Sequence, residues 1–169
     1  MPALQLLRAD HRPAVLAFER ENRDYFAETI SDRGDEYFDR FDELFDELLD
    51  RQEAGEVANH LLFDEDGVVL GRFNLYRLQD GTAEVGYRVA QRVAGRGVAT
   101  AAVRELCRLA ASRHHLHTLT AATSDENAAS RRVLLKAGFV PVGRADPADL
   151  GGRHGARYRL DLTAPATGR

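Results

Sequence analysis

Two glycines, Gly95 and Gly97, stand where an extended segment changes into a helical one, and this spacing can support chemistry. Glycine lets the backbone come close to a ligand, and the first N–H groups of a helix have no partner within the helix. The helix dipole adds positive potential at the same end. Arg92 and Arg96 contribute two formal charges beside it. The segment is therefore predicted to bind an anion such as a diphosphate.

Three kinds of phosphate-binding loop compete for this segment. The dinucleotide fingerprint needs a third glycine where the chain has Thr100, and it needs a preceding parallel βαβ unit. The P-loop needs a Gly-Lys-Ser/Thr tripeptide, which the sequence lacks. The third pattern, R/Q-x-x-G-x-G/A, is matched by Arg92-x-x-Gly95-x-Gly97. Taken alone, the loop also fits a helix start without a ligand.

The segments on either side of the loop decide between these alternatives. The upstream segment is Ala83-Glu84-Val85-Gly86-Tyr87-Arg88-Val89, and the downstream one carries Asn127, Ser130, Lys136, Gly138 and Phe139. In this order and spacing they resemble the GCN5-related N-acetyltransferase (GNAT) family, and most closely its ribosomal-protein-alanine N-acetyltransferase branch. The resemblance covers about 4–162. It implies an acetyltransferase that uses acetyl-CoA and acts on a primary amine, either a protein N-terminal α-amine or a small cationic amine.

The resemblance also implies how acetyl-CoA is held. The strand before the loop is expected to splay from its neighbour and pair with the pantetheine arm, while loop amides from Val93 or Ala94 to Val98 or Ala99 hold the diphosphate. The residues expected to bind the cofactor are Tyr87, Arg88, Val89, Arg92, Val93, Ala94, Gly95, Arg96, Gly97, Val98, Ala99, Asn127 and Ser130. The alternative for Arg92 and Arg96 is that they are solvated surface residues. The alternative for Asn127 is that it only caps a helix.

Attack of an amine on a thioester needs support for an oxyanion and a proton for the departing thiolate. A backbone N–H near Tyr87 to Val89 is the oxyanion candidate. Many family members place a tyrosine seven residues after the asparagine, and this chain has Leu134 there. Ser130 matches the serine of the ribosomal-protein-alanine branch, so its hydroxyl is predicted to donate to sulfur. The alternative for Ser130 is a helix-surface serine.

Glu84 is the candidate general base. It precedes the Val-Gly-Tyr segment on the predicted central strand, where an inward carboxylate would be buried by the sheet, and a buried charge is costly unless it is used or paired. It is predicted to take the amine proton directly or through water. A salt-bridged or exposed glutamate is the alternative, as is attack by an amine that is already neutral.

The charge distribution is uneven along the chain. Residues 19–66 hold 18 acidic and 5 basic residues, whereas the remainder holds 9 acidic and 18 basic residues, for a net charge of −4. In the family the helices after the first strand form the acceptor side, so the acidic segment is predicted to favour cationic acceptors, with a solvated acidic helix as the alternative. A nucleic-acid partner is not expected, because the chain is not net basic. A homodimer is possible, because members of the family are often dimers.

A second class of function remains open from the sequence alone. The absence of a tyrosine at Leu134 is compatible with a CoA-binding module for sensing or scaffolding that transfers little or no acetyl group. His114, His115 and His117 lie close enough in the sequence to suggest a metal site. We interpret them instead as solvated histidines in a turn, and no metal is expected. Cys107 is the lone cysteine, which excludes an internal disulfide.

The elements that must position these residues can be read from the hydrophobic pattern. Strands in the middle and two strand–helix–strand units afterwards predict a mixed α/β (α+β) sheet, mostly antiparallel, with about seven strands and helices on both faces. Asp10 is a predicted helix N-cap, and 35–53 is predicted to form one helical stripe. A single domain is expected over 1–169, with 163–169 as a frayed tail. No membrane span or signal peptide is recognised, so a cytoplasmic location is expected.

Overall fold

Seven strands form one sheet in the computed structural model, which describes residues 3–163. The strands are β1 (Gln5–Leu6), β2 (Ala58–Phe63), β3 (Val69–Gln79), β4 (Thr82–Val89), β5 (Thr118–Ser124), β6 (Val140–Arg144) and β7 (Gly155–Asp161). Their spatial order is β1-β2-β3-β4-β5-β7-β6. Every neighbouring pair is antiparallel except β4 and β5, which are parallel. The predicted mixed, mostly antiparallel sheet is confirmed.

Helices cover both faces of this sheet. They are α1 (Arg12–Glu21), α2 (Arg23–Ala27), α3 (Asp35–Asp39), α4 (Phe41–Glu53), α5 (Val98–Ser112) and α6 (Ala128–Lys136). On one face, Val103 and Leu106 of α5 pack with Phe73 of β3 in a buried apolar cluster. On the other face, Phe18 of α1 and Phe45 of α4 pack in a second cluster. Successive side chains of a strand point to opposite faces, so the same strands supply both clusters.

The parallel contact between β4 and β5 is short. Only 82–84 of β4 pair with 118–120 of β5. Beyond this point β5 continues in pairing with β7, while 85–89 of β4 pair with β3 alone. The two strands therefore diverge as a fork, and the edge of β4 that faces the fork keeps unpaired backbone groups. This is the splayed strand that the family resemblance implied.

Two local predictions differ from the structure. The stripe over 35–53 is two helices, because Arg40 leaves the helical conformation between α3 and α4. Asp10 does not cap α1: it lies within a 3-10 turn, Ala9–His11, and its carboxylate pairs with Arg8. The His11 ring belongs to the same turn, where its Nδ1 accepts the Arg8 backbone N–H at 3.0 Å, and α1 itself begins without a side-chain cap.

Within residues 3–163, no helix combines the length and the apolar character that a membrane span requires. The same residues contain no group of three or more His, Cys, Asp or Glu side chains arranged to hold a metal ion. Apart from Thr163, the expected C-terminal tail lies outside the described residues.

Candidate active site

The loop after β4 presents free backbone N–H groups to one side of the fork. Gly95 and Gly97 have φ of +74° and +77°, a left-handed conformation that favours glycine, and α5 begins directly after Gly97. The N–H groups of 95–99 make no hydrogen bond within the described residues. In contrast, the N–H groups of Val93 and Ala94 donate to the carbonyls of Ala90 and Gln91 at 3.1 Å each. The amides available to an anion therefore begin at Gly95, later than the sequence predicted.

A cleft of about 290 Å³ lies beside this loop. Its walls come from the end of β4, from the loop and the first turn of α5, from α6, and from the segment at the end of α2. Ten of the predicted cofactor-binding residues line it: Tyr87, Arg88, Val89, Val93, Ala94, Gly95, Gly97, Ala99, Asn127 and Ser130. The cleft joins the fork to the free amides, so it has the shape of a channel for an extended ligand with an anionic end.

Asn127 and Ser130 are brought together at the start of α6. The Asn127 Oδ1 accepts the Ser130 backbone N–H at 3.1 Å, which is the predicted N-cap. This bond uses only the side-chain oxygen of Asn127. Its amide nitrogen is left for another acceptor in the cleft.

A tyrosine hydroxyl that sequence reasoning missed completes this corner of the cleft. The Tyr87 hydroxyl lies 2.9 Å from Ser130 Oγ and 3.3 Å from the Ser130 carbonyl oxygen. Burial raises the pKa of Tyr87 to about 12, so the phenol is neutral near pH 7. The sequence predicts a role only for the backbone near Tyr87, in binding the pantetheine arm and the oxyanion. Leu134, at the position where many family members have a tyrosine, is fully buried in the core and does not line the cleft.

Glu84 stands at the mouth of the fork. It is the last residue of β4 that pairs with β5, opposite Thr120. Its side chain is 27% exposed and lies 3.6 Å from the Arg77 guanidinium. Strand alternation places it on the opposite sheet face from Tyr87, and it does not line the cleft. The structure therefore does not bring Glu84 and Ser130 together; they flank the fork from its two sides.

The cations of the cleft are not the ones the loop motif suggested. The Arg92 guanidinium is held by Asp64 at 2.6 Å, which lowers the pKa of the Asp64 carboxyl. Arg96 is exposed and, like Arg92 and Val98, does not line the cleft. Arg132 and Lys136 line it instead. Their spacing of four residues on the helix that Asn127 opens was the signal that could have identified them.

The acidic segment supplies no carboxylate to the lining of the cleft within the described residues. Many of its acids instead pair with arginines: Asp32 with Arg23, Asp46 with Arg12, Glu43 with Arg40, and Glu56 with Arg51. The interpretation as solvated, ion-paired helices accounts for these acids.

One acid of that segment is buried. The Glu19 side chain is 1% exposed and contacts the guanidinium groups of Arg33, Arg88 and Arg72 at 2.6, 3.0 and 3.4 Å. Burial alone raises the pKa of the Glu19 carboxyl, but the three positive charges outweigh it and lower that pKa. Glu19 thus links α1 to β3 and β4.

Comparisons with known proteins agree with this geometry. The model of the family described as "Acetyltransferase (GNAT) domain" matches residues 3–140. A probable N-acetyltransferase, YjcK of Bacillus subtilis (strain 168), is 32% identical over 136 residues, which cover 77% of this chain and 75% of that protein.

Solved structures share the fold. The ribosomal-protein-S5-alanine acetyltransferase from Vibrio fischeri superposes with a TM-score of 0.86 at 18% identity, covering 95% of this chain and 92% of that one. The spermidine N-acetyltransferase from Vibrio cholerae, in complex with CoA and spermine, gives 0.79 at 17% identity and 95% coverage of each chain. At such identities these two likenesses establish the fold and leave the acceptor open.

Proposed function

We propose, from the premise that this chain belongs to the acetyltransferase (GNAT) domain family and is an acetyl-CoA-dependent acyltransferase, that it acetylates a primary amine at the β4–β5 fork. A peptide N-terminal α-amine or a small amine is the acceptor. The observation that carries the proposal is the row of free amides at 95–99 beside a cleft that follows the unpaired edge of β4. Assembly as a homodimer and a cytoplasmic location stay predictions.

The loop and the cleft fit CoA in charge and shape. Free N–H groups at the start of α5 bind a diphosphate, and Arg132 and Lys136 add cationic groups on the same cleft. The edge of β4 over 85–89 offers backbone groups to the amides of the pantetheine arm, as an added strand would. The Asn127 side-chain amide nitrogen serves as a further donor to that arm.

These contacts place the thioester at the fork. There the amine nitrogen attacks the carbonyl carbon, a tetrahedral oxyanion forms, and the carbon–sulfur bond then breaks. A backbone N–H of Tyr87 to Val89 stabilises the oxyanion. The departing thiolate accepts a hydrogen bond from the Ser130 hydroxyl. Tyr87 donates its own proton towards Ser130 Oγ and so leaves the serine proton free for sulfur.

Glu84 is the proposed acceptor of the amine proton, on the opposite side of the fork from Ser130. The attacking amine must lose a proton, and Glu84 lies on the sheet face away from Ser130, at the last paired residue. Because Arg77 holds the carboxylate at 3.6 Å, the proton reaches Glu84 through a water molecule or directly after a small side-chain movement. An amine that binds in its neutral form does not need this step.

A glycine substitution tests the free amides. We expect Gly97→Ala to weaken CoA binding about tenfold in calorimetry, because a left-handed alanine costs about 1–2 kcal/mol and displaces the N–H groups. Gly67→Ala is the matched control: Gly67 has φ of +80°, open space around it like Gly97, and a place in the β2–β3 turn. Equal loss of CoA affinity in the two variants would contradict the proposal.

Activity itself is measured by thiol release from acetyl-CoA over a panel of peptides, amino acids and polyamines. Turnover with at least one amine is the expected result. Binding of CoA with no turnover across the panel would favour a CoA-binding module without transfer activity.

A further inference from the structure

The buried acid Glu19 is outnumbered by its partners. We call Glu19, Arg33, Arg72 and Arg88 the arginine cluster. Its three guanidinium groups face one carboxylate, so its formal charge is +2. The Arg72 and Arg88 side chains are only 6% and 18% exposed. An excess of buried positive charge is costly unless an anion compensates it.

No second anion of the protein offsets this excess among the described residues. The nearby Asp32 and Asp35 both bind Arg23 instead. What surrounds the arginine cluster is aromatic: the Arg33 guanidinium lies 4.7 Å from the Tyr37 ring centre, and that of Arg88 lies 4.8 Å from Phe26. Ring faces attract cations but carry no charge. Burial and the neighbouring Arg33 lower the pKa of Arg88 to about 10, which agrees with an uncompensated environment.

Hydrogen-bond donors of the arginine cluster are left without partners. The Nε of Arg72 is buried and makes no hydrogen bond, and Arg88 uses only Nη1, on Glu19. Arg88 and Phe26 line both the main cleft and a small void of about 10 Å³, large enough for one water molecule. The arginine cluster thus reaches the cleft through Arg88.

The place of Arg88 relative to the reaction indicates which ligand it meets. Arg88 follows Tyr87 on β4, so its side chain points to the opposite face from the Tyr87–Ser130 pair. Since Ser130 faces the sulfur in the proposed function, the acceptor enters on the side of Arg88.

We infer that the acceptor carries a carboxylate within a few bonds of its reactive amine, and that Arg88, backed by Arg33 and Arg72, binds this carboxylate. The inference rests on the proposed function and narrows its acceptor class to amino acids or peptides with an acidic start. Guanidinium and carboxylate form paired, charge-assisted hydrogen bonds, whereas a polyamine would meet the net positive charge of the arginine cluster.

Matched acceptors test the inference. L-alanine is compared with L-alaninamide, and Ala-Glu-Ala-Ala amide with its Ala-Gln and Ala-Lys counterparts; spermidine is added. Rates are taken as kcat/KM for the neutral amine, since the amine pKa differs between alanine and its amide. We expect the anionic member of at least one pair to exceed the neutral member about tenfold. Preference for the neutral or cationic member in both sets would overturn the inference while leaving the proposed function intact.

Variants of Arg88 provide the second test of the inference. In Arg88→Met the ratio of anionic to neutral kcat/KM should collapse to about one, and Arg88→Lys should retain part of it. Glu19 keeps two arginines in these variants, so the fold is expected to persist, as thermal unfolding will show. If Arg88→Met does not fold, Arg33→Met takes its place. Arg51→Met, at a surface pair with Glu56, is the control that keeps the ratio.

An unchanged ratio in the folded Arg88 variants would refute the role of the arginine cluster. Absence of acetylation with every acceptor, cationic ones included, would instead refute the proposed function and this inference with it.

Discussion

Two hydroxyl groups, separated by 43 residues in the chain, meet at 2.9 Å in the cleft. In the proposed function Tyr87 is a positioning residue, because it would act through Ser130. Its ring is held by Phe73, with centroids 6.0 Å apart and the planes nearly parallel. This packing holds the phenol in contact with Ser130.

At this scale we expect Ser130→Ala to lower kcat about 10- to 100-fold, the worth of a hydrogen bond to a charged thiolate. Tyr87→Phe should lower kcat about 3- to 10-fold, as for a neutral hydrogen bond. The double variant should be no slower than Ser130→Ala alone, since the two groups act in series. Steady-state kinetics of thiol release measure all three.

Ser112→Ala is the control for these variants, because its hydroxyl caps only the exposed end of α5. Multiplicative losses in the double variant would show that Tyr87 and Ser130 act independently.

Strand β2 contains a buried histidine whose pKa is lowered by its surroundings. His60 lies on β2, 2% exposed, with Nδ1 donating to the Phe73 carbonyl at 3.2 Å. Burial lowers the pKa of His60 to about 4, and the neighbouring His114 acts in the same direction. The folded chain therefore holds this imidazole neutral at pH values where the unfolded chain protonates it.

The consequence is a loss of stability in acid. As pH falls from about 6.5 to 4, the unfolded state binds a proton that the folded state does not, so the free energy of unfolding decreases by about 3 kcal/mol through this group. Below pH 4 the contribution is constant. His60→Asn should flatten this slope in urea titrations at several pH values, whereas the exposed His154→Gln should not. Identical slopes in all three proteins would exclude His60 as the source.

At the scale of the whole molecule, Glu19 joins elements that are far apart in the chain. Its ion pairs with Arg72 and Arg88 span 53 and 69 residues. Helix α1 thereby docks on β3 and β4 through charge as well as through its apolar cluster. Removal of this single carboxylate would leave the guanidinium groups of Arg72 and Arg88, and the more exposed one of Arg33, without an anion.

We expect Glu19→Gln to lower the free energy of unfolding by about 3–5 kcal/mol, the usual cost of breaking a buried pair from one side. Glu43→Gln removes a carboxylate from an exposed pair with Arg40, which solvent screens, and should leave the free energy of unfolding almost unchanged. Urea unfolding of both variants measures the difference. A loss in Glu19→Gln as small as in Glu43→Gln would mean that the arginines find solvent when the acid is absent.

Residues close together in the sequence are enough to predict most of the elements and the glycine turn before α5. The alternation in β4, the glycines before α5 and the Asn127 cap each depend on residues within a few positions, and local backbone preferences suffice for them. The break at Arg40 escaped prediction because the apolar spacing over 35–53 continues across it.

Tertiary structure alone decided which side chains meet. Strand register and helix docking took Arg92 to Asp64, brought the Tyr87 hydroxyl to Ser130, and turned Leu134 into the core. They also gathered three arginines on Glu19. The residue types along a chain indicate which chemistry each side chain is capable of. Which partner it finds depends on distances between segments, and these are set by packing of the whole sheet and its helices.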